Sequence, residues 1–442
     1  MNIRTLEACD VLVCGGGPAG FCAAVAAART GAKTALVEKF GMAGGTLTVL
    51  GNNSVDMFAN PHRGEDRMVI QGIGWEFVRR LNAMGEATVP DMNAPFTSNQ
   101  QYGVRVKPLS AAKLMDDMLL EAGVKLYYCQ GAADVETAAE GDRTRVTGVL
   151  ISTKAGLARI PAKFVVDCTG DGDICTWAGN PFESGGEDGT LQPGTLRYYL
   201  WGSATREEIK RGDEMLWDDR QEGRLTWEDL LYGANFGAIL YSNGDNRNHV
   251  MDLNSADSDS RTAAEIEARR RLCLLSDAIK RIGTNVTIAG TAPVVAPRES
   301  RRIMGDKLLT AEDWIACTMA PDAVCYTFWH IDIHAKGQYQ KNHVYLNGPE
   351  TPSIPLGCLT PKTLTNVLVA GRCISGDRAA VSATRVKATC MATGEAAGTA
   401  AALASLKNGA DVREATADEV RAALAKTGAI VPGLNEPAKF AL

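Results

Sequence analysis

The sequence predicts an α/β fold, and three features carry that expectation. A short strand-type run at residues 10–14 opens directly into Gly15-Gly16-Gly17-Pro18-Ala19-Gly20 and an alanine-rich segment, residues 21–28. A second apolar run at residues 34–37 ends in Glu38. Two later runs, at residues 164–166 and 367–369, also open into glycine turns. Strands that give way to glycines and helices are the grammar of a parallel sheet covered by helices.

Composition sets the outer bounds. With 442 residues, 45% hydrophobic and 22% charged, the chain can bury a large core, which excludes disordered and fibrous classes and suggests two domains or one composite unit. Lys and Arg total 46 against 52 Asp and Glu, a net charge of −6, and the basic residues form no block. Nucleic acid is therefore not an expected partner. Twelve cysteines include no C-x-x-C pair, which argues against zinc ribbons and thioredoxin-like chemistry. Their scatter through apolar stretches reads as buried free thiols in a reducing, cytoplasmic setting. Residues 11–28 imitate a signal or membrane segment, but four glycines and a proline make a strand, turn and helix the better reading. No later run reaches the ~18 apolar residues that cross a bilayer.

Taken in order, the first turn is G-x-G-x-x-G in its proper context. Gly15 supplies a tight turn, Gly17 lets backbone approach a pyrophosphate, and Gly20 lets the helix lie close on the strand, with Pro18 and Ala19 between them. Phosphates then meet unpaired N–H groups and the positive end of the helix dipole. Gly31 follows the helix where a left-handed cap is expected. Glu38 stands 18 residues beyond Gly20, the position of an acid that accepts hydrogen bonds from ribose hydroxyls. This is a Rossmann-like dinucleotide cradle. Lys39 leads into a second glycine loop with Gly44, Gly45 and Thr46. Residues 135–162 read as an antiparallel meander, and the next turn carries Thr169, Gly170 and Asp171. Residues 205–260 are polar and match no interpretable motif, and residues 263–282 read as an amphipathic helix. Gly371 and Arg372 form the last turn, before a long helix over about 388–405. The three strand-to-glycine turns are expected to converge on one extended ligand.

These pieces resemble the FAD-dependent oxidoreductases related to fumarate reductase flavoproteins and the glucose-inhibited division protein A group. The resemblance rests on GGGPAG at 15–20, EKFGMAGGT at 38–46, EAGVKL at 121–126, DCTGDGD at 167–173 and LQPGTL at 191–196. It continues through RESRRIMGD at 298–306, HIDIH at 330–334, and LVAGRCIS to CMATGEAAGTAAA between 368 and 401. It implies a glutathione reductase-like FAD-binding domain built from residues 1–50, 105–180 and 355–442. An inserted α+β substrate domain would take residues 51–104 and 181–354. It further implies FAD with its ADP half at the N-terminal cradle and its ring at the C-terminal turn, where Arg385 and Val386 would contact it.

Departures from relatives narrow this expectation. Paired cysteines are missing after Glu38, so the disulfide-reductase branch is excluded, and no second fingerprint offers an NAD(P)H domain. Electrons are therefore expected from the substrate or a separate donor or acceptor. The loop Gly44-Gly45-Thr46-Leu47-Thr48 has no His to link a flavin, so FAD is expected to be non-covalent. The expected activity is hydride transfer between FAD and a small organic substrate. The alternative is an electron-transfer or regulatory subunit acting with a partner protein, and a homo-oligomer is compatible with either.

Two polar clusters are candidates for the chemistry. On a strand, His330, Asp332 and His334 share one face, a pattern that suits a metal, a flavin- or substrate-facing group, or a buried hydrogen-bonded pair. Flavin already supplies redox chemistry and the resemblance brings no metal, so none is expected. His334 is preferred as the proton-handling residue because the resembling motif places a His there, with His330 beside it. Arg298 lies in a charged run embedded in apolar sequence, where it faces flavin or substrate or pairs with a glutamate. Arg378 and Arg385 flank the ring-side turn, as cations for the reduced ring or as partners of Asp377 or Glu395. Cys373 and Cys390 read as packing, and His62 and His249 as exposed.

Overall fold

The computed structural model describes residues 3–440 apart from 96, 230, 232–233, 335–342 and 436. Strand β1 (Cys9–Cys14) runs through the glycine turn into α1 (Pro18–Arg29), and β2 (Thr34–Glu38) follows. Next come α2 (Ile73–Ala83), α3 (Pro108–Glu121) and β3 (Lys125–Tyr128). The expected meander is β4 (Gly131–Glu140), β5 (Arg143–Thr153) and β6 (Gly156–Asp167), each antiparallel to the next.

The amphipathic helix is α4 (Ser258–Ile282), and it starts five residues before the expected 263. Asp257 explains the early start, because its carboxylate accepts the Ser260 N–H at 2.7 Å and caps the first turn. Strands β7 (Ile331–Asp332) and β8 (His343–Val344) pair antiparallel. The chain ends through β9 (Val367–Val369), α5 (Arg378–Thr384), α6 (Lys387–Leu406) and a short C-terminal helix, Ala417–Lys426.

Strand β6 serves two layers. Its first half pairs with β5, whereas residues 162–167 run parallel to β1, and 165–167 run parallel to β9. The parallel part of the sheet thus reads β3-β2-β1-β6-β9. Val11, Leu12, Val13, Val165 and Val166 have no exposed surface, so these strands read as continuous apolar runs, as both faces are covered. Asp167 is in register with both Cys14 and Val369. The three glycine turns therefore leave the sheet at one level and along one edge.

Helices α1 and α6 cross in backbone contact. A Cβ placed on Gly394 would lie 2.0 Å from the Ala19 carbonyl oxygen, and one on Gly398 2.1 Å from that of Ala23. The alanines of α1 and the small residues of α6 are thus what allow both helices to lie on one face. Glu395 of α6 is fully buried, accepts the Ile73 N–H at 2.9 Å and the Thr427 hydroxyl at 2.9 Å, and so caps α2. The main core draws on residues 9–178 and 303–431, including Ile73, Trp75 and Phe77 of α2. A second core gathers residues 196–295, with Leu272, Leu275 and Ile279 of α4 packed near Tyr198 and Phe236. No helix among the described residues is long and apolar enough to cross a membrane.

Candidate cofactor and active site

At the first turn, Gly15 has φ +98° and its missing Cβ would sit 2.3 Å from the Cys168 carbonyl oxygen, so only glycine fits there. Gly20 is barred from a side chain by the Gly15 carbonyl, 1.7 Å from where a Cβ would be. Gly17 differs, since nothing lies within 4 Å of that point. The N-terminus of α1 carries no side-chain cap, and Pro18 occupies its first turn. Open space therefore meets unpartnered helix N–H groups there, as an anionic pyrophosphate requires.

The second glycine loop folds onto this turn. The Gly44 N–H donates to Gly16 O at 2.7 Å, and Gly45 lies against Gly17. Glu38 is buried, and its two oxygens accept the N–H groups of Gly16 at 2.6 Å and Phe40 at 2.8 Å. Burial raises its pKa, and these two N–H bonds oppose the rise. The Lys39 side chain is exposed, over the Phe40 ring.

The turn after β6 is tied together by acids. Fully buried Asp167 accepts the Thr169 hydroxyl at 2.7 Å and the Cys175 N–H at 3.1 Å, which shapes the turn through Gly170. Asp171 accepts the hydroxyls of Ser255 and Ser300 at 2.6 Å each and Arg372 Nη2 at 2.7 Å. Burial opposes its ionisation, but Arg372 and the two serines outweigh it and hold the carboxyl well below its usual range. The second and third glycine turns are thus locked by an Asp171–Arg372 pair. At the third turn, Gly371 has φ +85° and approaches Ala19.

Beyond that turn lies a concentration of imidazoles. The chain has five histidines, and four of them gather near the start of α6. The rings of His330 and His343 are 5.0 Å apart, those of His334 and His343 6.4 Å, and those of His249 and His334 5.8 Å. Asp332 lies among them. His334 Nε2 is 3.1 Å and His343 Nε2 also 3.1 Å from its Oδ1, and Arg385 Nη2 donates to its Oδ2 at 3.1 Å. Burial opposes ionisation of Asp332, but the His334 bond and the Arg385 charge keep the carboxyl far below its usual range. Burial, then the nearby Arg298 charge, pushes His334 down to about 4. Burial likewise takes His330 to about 4. Lys387, the first residue of α6, is also buried, which lowers its pKa.

A family model described as FAD dependent oxidoreductase matches residues 10–424. The chain belongs to this family. No match was found among curated proteins. Among solved structures, p-nitrophenol 4-monooxygenase from Pseudomonas putida DLL-E4 is similar at 12% identity and TM-score 0.41, covering 96% of this chain and 87% of that one. A geranylgeranyl bacteriochlorophyll reductase-like protein from Thermoplasma acidophilum is similar at 11% identity and TM-score 0.40, covering 96% and 88%. THI4 from Thermovibrio ammonificans matches at 22% identity over 46% of this chain and 72% of that one, with TM-score 0.29.

The protein is therefore an FAD-dependent oxidoreductase with a Rossmann-type α/β fold, and the open α1 terminus beside Gly17 fits its cofactor. In this flavoenzyme, Arg298 donates to Pro193 O at 2.6 Å and Thr195 Oγ1 at 2.8 Å, and also bonds Asn246. Glu299 instead engages Gln192 and Arg378, and Ser300 turns to Asp171. Three consecutive residues thus serve three different walls. Arg378 pairs with Glu299 rather than with Asp377 or Glu395, because Asp377 caps α5 and Glu395 caps α2.

The expectation for His249 is corrected. It is only 1% exposed, since Thr195 Oγ1 approaches its Nδ1 at 2.8 Å and His334 covers its ring. His62 is half-buried, with its ring 6.2 Å from that of Phe328. Cys373 and Cys390 are buried, and burial raises both thiols, as packing residues require. His343 is the one residue of the cluster that the sequence analysis did not single out. The alternating stretch His343-Val344-Tyr345-Leu346 was a usable signal for a strand that pairs with HIDIH.

Proposed function

We propose that this oxidoreductase transfers a hydride between non-covalently bound FAD and a small organic substrate held at the imidazole cluster. The observation that supports it most is the gathering of His249, His334 and Arg298 beside Arg385 and the buried N-terminus of α6. Bound FAD would supply the two-electron chemistry. Gly15, Gly17, Pro18, Ala19 and Gly20 would hold the pyrophosphate, with Glu38 accepting from ribose. Gly44 and Gly45 close on that turn, with Thr46 beside them, and Thr169, Gly170, Asp171, Gly371 and Arg372 would carry the cofactor on toward α6.

At the ring end, the N-terminus of α6, which no side chain caps and whose Ala388 N–H goes to the Asp56 carbonyl at 2.9 Å, and the buried Lys387 favour negative charge, an effect that burial strengthens. Arg385 and Val386 form the entry to that helix. His334, whose Nε2 is held by Asp332 and whose backbone N–H donates to Gln192 Oε1 at 3.2 Å, takes or returns the substrate proton at Nδ1. Arg298, fixed by three oxygens, orients a polar or anionic substrate group, and His330 stands in the imidazole cluster against His343. The second core, within residues 181–354, covers the substrate.

The test is anaerobic exposure of the FAD-loaded protein to alcohols, hydroxy acids and amines, with absorbance near the flavin band as the readout. The reduced protein is then offered enoates. Bleaching by one class, slowed in His334→Gln with FAD retained, supports the reading. Bleaching by one class at wild-type rate in that variant removes His334 from the mechanism.

A further inference from the structure

We propose that His330, Asp332 and His343 form a binding site for one divalent transition-metal ion. The sequence alone singled out residues 330, 332 and 334, which share a strand face, and pointed to no metal. Folding changes the set. Asp332 of β7 is in register with His343 of β8, so the hairpin brings in an imidazole from outside the motif. One ligand atom from each of His330, Asp332 and His343 lies within 4.8 Å of the other two. Ligands about 2.1 Å from a common ion stand roughly 3–4 Å apart, so a small closure suffices. His343 Nε2 and Asp332 Oδ1 are already 3.1 Å apart.

The surroundings orient these groups as ligands. The Tyr345 hydroxyl approaches His343 Nδ1 at 3.2 Å, which leaves Nε2 toward Asp332. The Tyr345 ring also stacks on His330 with centroids 4.7 Å apart and an interplanar angle of 25°. Arg385 engages Asp332 Oδ2 at 3.1 Å and its backbone oxygen at 3.2 Å, so Oδ1 is the oxygen turned to the histidines. Partners of this kind behind each ligand fix tautomer and aim. Two imidazoles and one carboxylate suit zinc, cobalt or iron(II) rather than calcium or magnesium, and three protein ligands leave positions for water or a substrate oxygen. His334, also 3.1 Å from Asp332 Oδ1, is then the neighbour that holds the carboxylate, not a ligand.

The test uses the FAD-loaded protein, stripped with a chelator and titrated with Co2+ and, in competition with a chromophoric chelator, Zn2+. One equivalent should bind, with visible Co2+ bands, and His343→Ala, His330→Ala and Asp332→Asn should each weaken binding more than about a hundredfold. Retained flavin absorbance shows that each variant is folded, and His62→Ala should bind as wild type. No binding by the wild-type protein at about 100 μM metal, or undiminished binding by His343→Ala, overturns the site. Loss in His334→Ala without loss in His330→Ala overturns the ligand set. The readout involves no turnover, so it stands or falls separately from the hydride-transfer reading.

Discussion

Replacing Glu38 by Ala separates a cofactor cradle from a merely well-made turn. The carboxylate is 5% exposed and accepts two backbone N–H groups, from Gly16 and Phe40, at 2.6 and 2.8 Å. Gly16 belongs to the floor of the proposed cradle, so the acid stiffens the surface that would face the pyrophosphate, while its remaining lone pairs would be offered to ribose. A hydrogen bond to a charged group contributes about 1.5–3 kcal/mol. Losing the ribose bonds and loosening Gly16 together should cost FAD binding about 3 kcal/mol, a rise in Kd of about a hundredfold. Glu38→Gln keeps one carbonyl acceptor and should lose about tenfold. Apoprotein titrated with FAD, read by flavin fluorescence, measures both, and thermal unfolding of the apoproteins reports the cost to the turn itself. If Glu38→Ala lowers the apoprotein's melting temperature but leaves the FAD Kd within twofold of wild type, the acid only builds the turn and the ribose assignment is wrong.

Other perturbations address the scaffold and the ring end. Gly398→Ala forces a methyl to within 2.1 Å of the Ala23 carbonyl, and should destabilise the protein by about 1–3 kcal/mol in urea unfolding and loosen FAD; unchanged stability would disprove the α1–α6 backbone contact. Burial raises Glu395 to about 7 from an ordinary 4.5, so the native state holds its proton more tightly than the unfolded chain. That stabilisation is complete below pH 4.5 and is lost as pH rises through 7, with an upper bound of about 3.5 kcal/mol at about 1.4 kcal/mol per pH unit. Glu395→Gln should flatten this part of the stability–pH curve, and an unaltered slope between pH 5 and 8 would remove Glu395 as its source. Arg298→Met should raise the KM of any substrate found by flavin bleaching at least about tenfold with FAD content unchanged, and an unaltered KM would leave Arg298 a purely structural tie.

Much of the cofactor half was legible because its determinants are local. A strand buried on both faces must be apolar throughout, a turn that meets a neighbouring carbonyl must be glycine, and a helix packed backbone to backbone must be built of small residues. Each of these demands writes itself into consecutive positions, as in Cys14 to Gly20 or Gly394 to Gly398. The level at which the three turns emerge was implied by that grammar, and the pairing of Asp167 with Cys14 and Val369 made it a fact of register.

The other half depends on partners distant in sequence. Whether Arg298 meets a glutamate or a substrate turns on which neighbour reaches Glu299 first, and that neighbour is Arg378, 79 residues away. His249 looks like a loop residue until Thr195 and His334 close over it. His343 becomes part of the site only because a hairpin sets it opposite Asp332. Side-chain type and periodicity encode what a residue buries, but the partner that a buried charge or imidazole receives is chosen by the packing of the whole chain. The sequence by itself therefore determined the sheet, the glycine turns and the FAD chemistry, while only the tertiary structure decided which histidines share an acid.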